Sequence, residues 1–138
     1  MKNLFEQFNY GQLVTPDIHK SFDKLEWCKH PTFGGVELKH IVTAADTNGE
    51  FSYHLVKIAP NKKIGNHVHN QQLETHEVIA GNGICINEGK EIPYSCGVIS
   101  IMKREFDKRI EKAAKICYNE NNNKLKVTER RFFQWKNK

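Results

Sequence analysis

The sequence predicts an all-β fold, a barrel or sandwich of short strands. Strand-like runs follow one another from Val36 to Val127, and turn signals rich in glycine and asparagine separate them. No segment carries the sustained 3.6-residue period of a long helix. A chain of 138 residues fits one domain, here 1–138, long enough to bury about two thirds of its unfolded surface.

The elements read in order as follows. Up to Pro31 the chain is a lead-in with extended pieces such as Gln12-Leu13-Val14-Thr15. Val36-Glu37-Leu38-Lys39-His40-Ile41-Val42 largely alternates apolar and polar residues, the pattern of a half-buried strand. A turn over Ala45 to Glu50 leads into a second strand, Phe51 to Ile58. On it Ser52 and His54 share one face while Tyr53, Leu55 and Lys57 share the other, and one set lines the interior. Ala59-Pro60-Asn61-Lys62-Lys63 is another turn. Glu74 to Ile79 is a strand ending at Gly81-Asn82-Gly83, a hairpin signal, and Ile84 to Asn87 runs into a tight turn at Glu88-Gly89-Lys90. Gly97 precedes the apolar strand Val98 to Met102. Ile110, Ile116, Leu125 and Val127 mark later strands around the turn Asn119 to Asn123, and Arg130 to Trp135 reads as strand or short helix.

Composition narrows the function classes. No apolar run approaches the roughly 18 residues of a membrane span, and the N-terminus lacks a signal peptide's apolar core. A cytoplasmic protein is the default expectation. Cys28, Cys85, Cys96 and Cys117 form no C-x-x-C pair and read as reduced, buried small hydrophobes. The net charge of +5 comes mostly from late lysines and arginines, interleaved with Glu105, Asp107, Glu111, Glu120 and Glu129. With no helix-turn-helix, zinc-finger or RNA-binding motif beside them, these charges read as a solvated face, and nucleic acid is not an expected partner. The charge would still draw in anionic small molecules.

The chemistry concentrates in the run from Gly65 to Gly81. His67 and His69 flank one valine, Glu74 follows after four residues and Gly81 after six more. On a strand His67 and His69 face the same way, and two imidazoles with a carboxylate form half of an octahedral site suited to Fe, Mn, Ni or Zn. His76 lies two residues after Glu74, so both share a face. His76 is therefore a further ligand, a pocket contact or a core histidine.

This pattern resembles the first motif of the cupin superfamily, G-x5-H-x-H-x4-E-x6-G, with Asn61 in place of its first glycine. The second motif, G-x5-P-x-G-x2-H-x3-N, keeps its glycine as Gly97, but Lys103, Glu105, Lys108 and Lys112 stand at the proline, second glycine, histidine and asparagine. The resemblance covers about Val36 to Glu111. It implies a double-stranded β-helix (jelly-roll, or cupin barrel) with its core at about 36–111, a lead-in over 1–35 and C-terminal strands and tail over 112–138. It also implies a homodimer, since small cupins often pair, sometimes through an N-terminal strand; Phe5, Phe8, Tyr10, Leu13 and Val14 would suit that.

Three readings of the pocket follow. In the first, His67, His69 and Glu74 hold a divalent metal, with water or His76 completing the shell. In the second, the Lys108 ammonium replaces the metal and pairs with Glu74, because a buried carboxylate needs a partner. In the third, the residues merely line a polar surface strand. The resemblance implies a metal-dependent dioxygenase or isomerase acting on a small molecule, with His76 or His54 as acid or base. The alternative is a non-enzymatic binding or sensing module. No organic cofactor is expected, and the sequence leaves open whether the chain is an enzyme.

Overall fold

A computed structural model describes residues 4–67, 72–103, 115–118 and 125–133. A short helix α1 (Leu4–Asn9) precedes a small antiparallel pair, β1 (Gln12–Val14) and β2 (His19–Ser21). Ten strands then form two antiparallel sheets. They are β3 (Cys28–Lys29), β4 (Val36–Val42), β5 (Phe51–Ile58), β6 (Lys63–His67) and β7 (Gln72–Ala80), followed by β8 (Gly83–Asn87), β9 (Lys90–Tyr94), β10 (Ile99–Met102), β11 (Lys115–Tyr118) and β12 (Leu125–Phe133). One sheet has the order β10-β7-β12-β5-β4-β3, the other β6-β11-β8-β9. The architecture is all-β, as expected, and Arg130 to Phe133 continue β12 as strand.

The sheets face each other across an apolar interior. Val36, Leu38, Val56, Ile58, Val78, Met102 and Val127 come from the larger sheet; Ile64, Cys85 and Tyr94 come from the smaller one. On β5 it is Ser52, His54, Val56 and Ile58 that turn inward. The opposite face of the larger sheet is covered as well. Ile41, Val42, Leu55 and Ile79 pack there against Phe5 and Phe22 of the N-terminal segment, with Phe8, Leu13 and Trp27 beside them. Trp27 therefore belongs to the outer layer that covers this sheet face. Lys39, a polar position of the alternating strand, is only 2% exposed for the same reason. Its ammonium donates to Asn9 Oδ1 at 2.7 Å and to the Phe22 carbonyl at 2.8 Å. Burial holds its pKa below the ordinary lysine value, against the opposing pull of Asp23. Cys85 is buried, whereas Cys28 and Cys96 are exposed free thiols, so the expectation of buried cysteines fails for those two. Cys28 lies on the two-residue strand β3 and Cys96 in the turn between β9 and β10.

Gly81-Asn82-Gly83 does not close a hairpin. β7 pairs with β10 and β12, and β8 pairs with β9 and β11, so this turn carries the chain from one sheet to the other. A turn signal specifies a reversal of direction; which neighbour the next strand meets is decided by the stacking of the sheets. The true hairpin is Asn87 to Lys90, whose two central residues have φ of 52° at Glu88 and 76° at Gly89, a type I′ geometry. Asn61, standing where the cupin motif has glycine, also has positive φ, 60°. Asparagine is among the non-glycine residues that tolerate this region best, so the missing glycine is replaced by a residue suited to the turn.

At one end of the larger sheet His40 and His54, neighbours in register on β4 and β5, share a hydrogen bond between their Nδ1 atoms of 2.8 Å. His54 Nε2 meets Ser52 Oγ at 2.9 Å. Desolvation is the main cause pushing the His54 pKa down to about 4, with the attraction of Glu129 opposing it.

Two predictions follow from this packing. Glu88→Asn removes part of the left-handed strain and should raise stability by about 0.5–1 kcal/mol, read as a higher urea midpoint at unchanged slope. Because folded His54 resists protonation while the unfolded imidazole does not, the unfolded state binds more protons between pH 6.5 and about 4. Stability should therefore fall through that window on acidification, by on the order of 2–3 kcal/mol from this group. Urea melts of His54→Gln at several pH values should show a shallower acid loss than the parent, and equal slopes would refute the assignment.

Candidate metal centre

Register turns the inner wall of the larger sheet into transverse rows. An apolar row runs Leu38, Val56, Val127, Val78 across β4, β5, β12 and β7. Two residues further along the strands, the row is His40, His54, Glu129, His76 and, on β10, Ser100. The next row is Ser52, Arg131, Glu74, Met102. Because strand side chains repeat every two residues, each row faces the same interior. The wall passes from hydrocarbon to polar groups within one strand repeat.

At the centre of the polar rows lie Glu74, His76 and Glu129, respectively 0%, 3% and 4% exposed. One possible ligand atom from each falls within 4.8 Å of the other two. His76 Nε2 is 2.5 Å from Glu74 Oε1 and 3.5 Å from Glu129 Oε2. The other ring nitrogen, Nδ1, is 2.9 Å from the hydroxyl of Tyr94, which reaches across from β9 in the facing sheet. The Arg131 Nε–H donates to Glu129 Oε1 at 2.5 Å. His76 and Glu129 are each held by more than one neighbour, which offsets part of the large cost of burying charge; Glu74 Oε2 is buried and accepts no hydrogen bond among the described residues. Val56, Ile58, Ile64, His76, Val127 and Glu129 line a cavity of about 10 Å³, room for about one water-sized occupant.

The sequence-predicted residues distribute unevenly over this site. Glu74 and His76 share the inner face, as their spacing implies. His54 faces inward one strand beyond Glu129, but its hydrogen bonds go to His40 and Ser52. His67 ends β6, where the β6–β11 register slips by one residue between Ile64 and His67; its side chain, His69 and Lys108 lie outside the described residues. Glu129 is the residue the sequence reading missed, since it sat in a run of cations that looked solvated. The available signal was period two on β12, which puts Val127, Glu129 and Arg131 on one face.

The donor set is one imidazole nitrogen and carboxylate oxygens. Such N/O donors suit Fe(II), Mn or Zn rather than the soft ions that thiolates select. Two carboxylates with a neutral imidazole supply two negative charges, the balance a divalent cation needs. Tyr94 on Nδ1 leaves Nε2 as the ligating nitrogen, and Arg131 holds the outer oxygen of Glu129; such outer contacts commonly orient metal ligands. The residues present fit a divalent metal ion.

No helix among the described residues is long and apolar enough to cross a membrane. No protein-family model and no curated protein sequence matches the chain. Solved structures do. A predicted oxalate decarboxylase from Thermotoga maritima matches with TM-score 0.69 at 17% identity, over 81% of this chain and 96% of that one. The polyketide cyclase RemF from Streptomyces resistomycificus matches with TM-score 0.67 at 11% identity, over 88% and 81%. A sugar phosphate isomerase of the cupin superfamily from Silicibacter pomeroyi matches with TM-score 0.65 at 14% identity, over 83% and 74%. With its two facing antiparallel sheets and these structural neighbours, the chain has the cupin fold, the double-stranded β-helix that its H-x-H-x4-E motif implies.

Proposed function

We propose that the barrel binds one divalent metal ion through Glu74, His76 and Glu129, and that the chain is a metal-dependent enzyme acting on a small molecule. The observation that carries this reading is the convergence of three buried ligand atoms within 4.8 Å. His67 and His69 join the donor set in this proposal on the strength of their spacing to Glu74, as the cupin motif implies. Such an ion would supply Lewis-acid polarisation of a bound carbonyl, and iron would add dioxygen chemistry. The reaction class is accordingly isomerisation or oxygenation. The names of the structural neighbours, a sugar phosphate isomerase among them, accord with a small polar substrate.

The protein's own residues have separate tasks in this scheme. His76 is a ligand rather than a mobile acid or base, because both ring nitrogens are engaged. Tyr94 fixes its tautomer and ring plane. Arg131 orients Glu129 so that Oε2 is the oxygen on the His76 side. Burial pushes the His54 pKa down to about 4, so the imidazole is neutral at pH 7 and only a weak proton acceptor. With His76 engaged as a ligand, His54 is the remaining candidate for an acid–base role, and its resistance to protonation suits it to hold a hydrogen bond rather than to carry a proton. The apolar row of Val56, Val127 and Val78 forms the inner end of the site, where Val56 and Val127 line the small cavity beside His76 and Glu129.

Elemental analysis of untagged protein, reconstituted separately with Fe(II), Mn and Zn, tests the proposal. About one equivalent per chain is expected in the parent, falling to trace in Glu74→Gln, His76→Gln and Glu129→Gln, and in the His67→Ala, His69→Ala pair. Equal trace metal in parent and variants would sink the metal site. Tyr94→Phe, which keeps the ring but removes the contact to His76, should weaken metal affinity about 10-fold or more while the thermal melt stays cooperative.

A further inference from the structure

Arg131 holds a position in the inner wall that its ion pair does not exhaust. It lies two residues beyond Glu129 on β12, in register between Ser52 and Glu74, with its side chain 29% exposed. Its Nε is bound to Glu129 Oε1, and no hydrogen bond is formed by its Nη1 and Nη2 groups among the described residues. Those two nitrogens form the end-on fork of the guanidinium, whose parallel N–H groups match two oxygens of a carboxylate or phosphate.

The surroundings favour an anion there. His30 and His40 lie within electrostatic reach of Arg131; burial first, and its charge second, hold both imidazoles below their ordinary pKa. Neither imidazole adds a competing charge beside the guanidinium, and both Nδ1 atoms are already engaged, that of His30 by the Thr32 and Phe33 N–H groups and that of His40 by His54. His40 is exposed while His54 beside it is buried, which marks this end of the polar row as the one that opens to solvent. Charge counting points the same way. With a dication balancing Glu74 and Glu129, the Arg131 guanidinium is left as an uncompensated, half-buried positive charge, and an anionic ligand restores neutrality.

We propose that Arg131 is the specificity-determining residue of the site, clamping the carboxylate or phosphate group of a small anionic substrate at the open end of the polar rows. This inference rests on the metal reading for its charge balance, but Arg131 and its fork do not depend on the ion. The clamp places the anionic group of the ligand beside the Glu129 carboxylate, with the rest of the molecule over Glu74 and His76.

The test is calorimetric titration of folded protein with succinate in one arm and inorganic phosphate in the other, each with and without one equivalent of Mn(II). Saturable binding in at least one arm is expected, and the arm that binds names the group. Arg131→Lys keeps the ion pair to Glu129 but loses the fork, and should weaken that binding at least about 10-fold with an unchanged circular dichroism melt. A second measurement needs no variant: the bound anion should protect Arg131 of the parent from phenylglyoxal, read by peptide mass spectrometry. No saturable binding in either arm, or binding that Arg131→Lys leaves unchanged with no protection of Arg131, would overturn the clamp. Metal uptake without anion binding refutes the clamp and leaves the metal site standing. Arg131-dependent anion binding without metal uptake does the reverse.

Discussion

Glu129 set opposite both His54 and His76 is the constraint on which the inner wall depends. β12 runs between β5 and β7, pairing with both along most of its length. A slip of one residue would send Val127, Glu129 and Arg131 to the outer face and take the Glu129 carboxylate away from His76. The same slip would push Thr128 and Arg130 into the hydrocarbon interior. Register there is held by both neighbours and by the apolar contacts of Val127, which is why a charged cluster can be placed to within a hydrogen-bond length.

That placement has an energetic cost which the surrounding groups offset locally. Two carboxylates and an imidazole with almost no solvent exposure would be heavily penalised if any one lacked partners. Tyr94 reaches the imidazole from the facing sheet and Arg131 reaches Glu129 from the next row, so the cluster is tied to both layers of the barrel. The apolar row beneath keeps the dielectric low, which strengthens every one of these contacts. Stability and chemistry thus draw on the same feature: a polar patch one strand repeat above a dry core.

The sheet is buried on both faces, and this second burial explains where sequence reading and structure part. Lys39 alternates correctly with Leu38 for a strand with one wet face, yet the N-terminal segment covers that face and encloses its ammonium. Trp27 packs in the same outer layer, with the Lys57 ammonium 3.8 Å from its ring centroid. Gly81-Asn82-Gly83 reads as a hairpin because its composition favours reversal; composition carries no information about which sheet the next strand joins. Asn61 was legible as a turn residue, and it adopts a positive φ that only a few residue types accept.

Local chemistry was written into the sequence: the strand periods, the turns, Glu74 and His76 on one face, and the H-x-H-x4-E spacing that implies the cupin fold. These depend on residues close along the chain, where the two-residue repeat of a strand is enough. Glu129 and Arg131 were not legible as site residues, because they sit in a run of alternating charges more than fifty residues from Glu74. Only the tertiary structure, by inserting the last described strand between β5 and β7, turned one face of that run inward. Pairing between distant strands is set by the summed burial of both sheets, and no short window of sequence carries that sum.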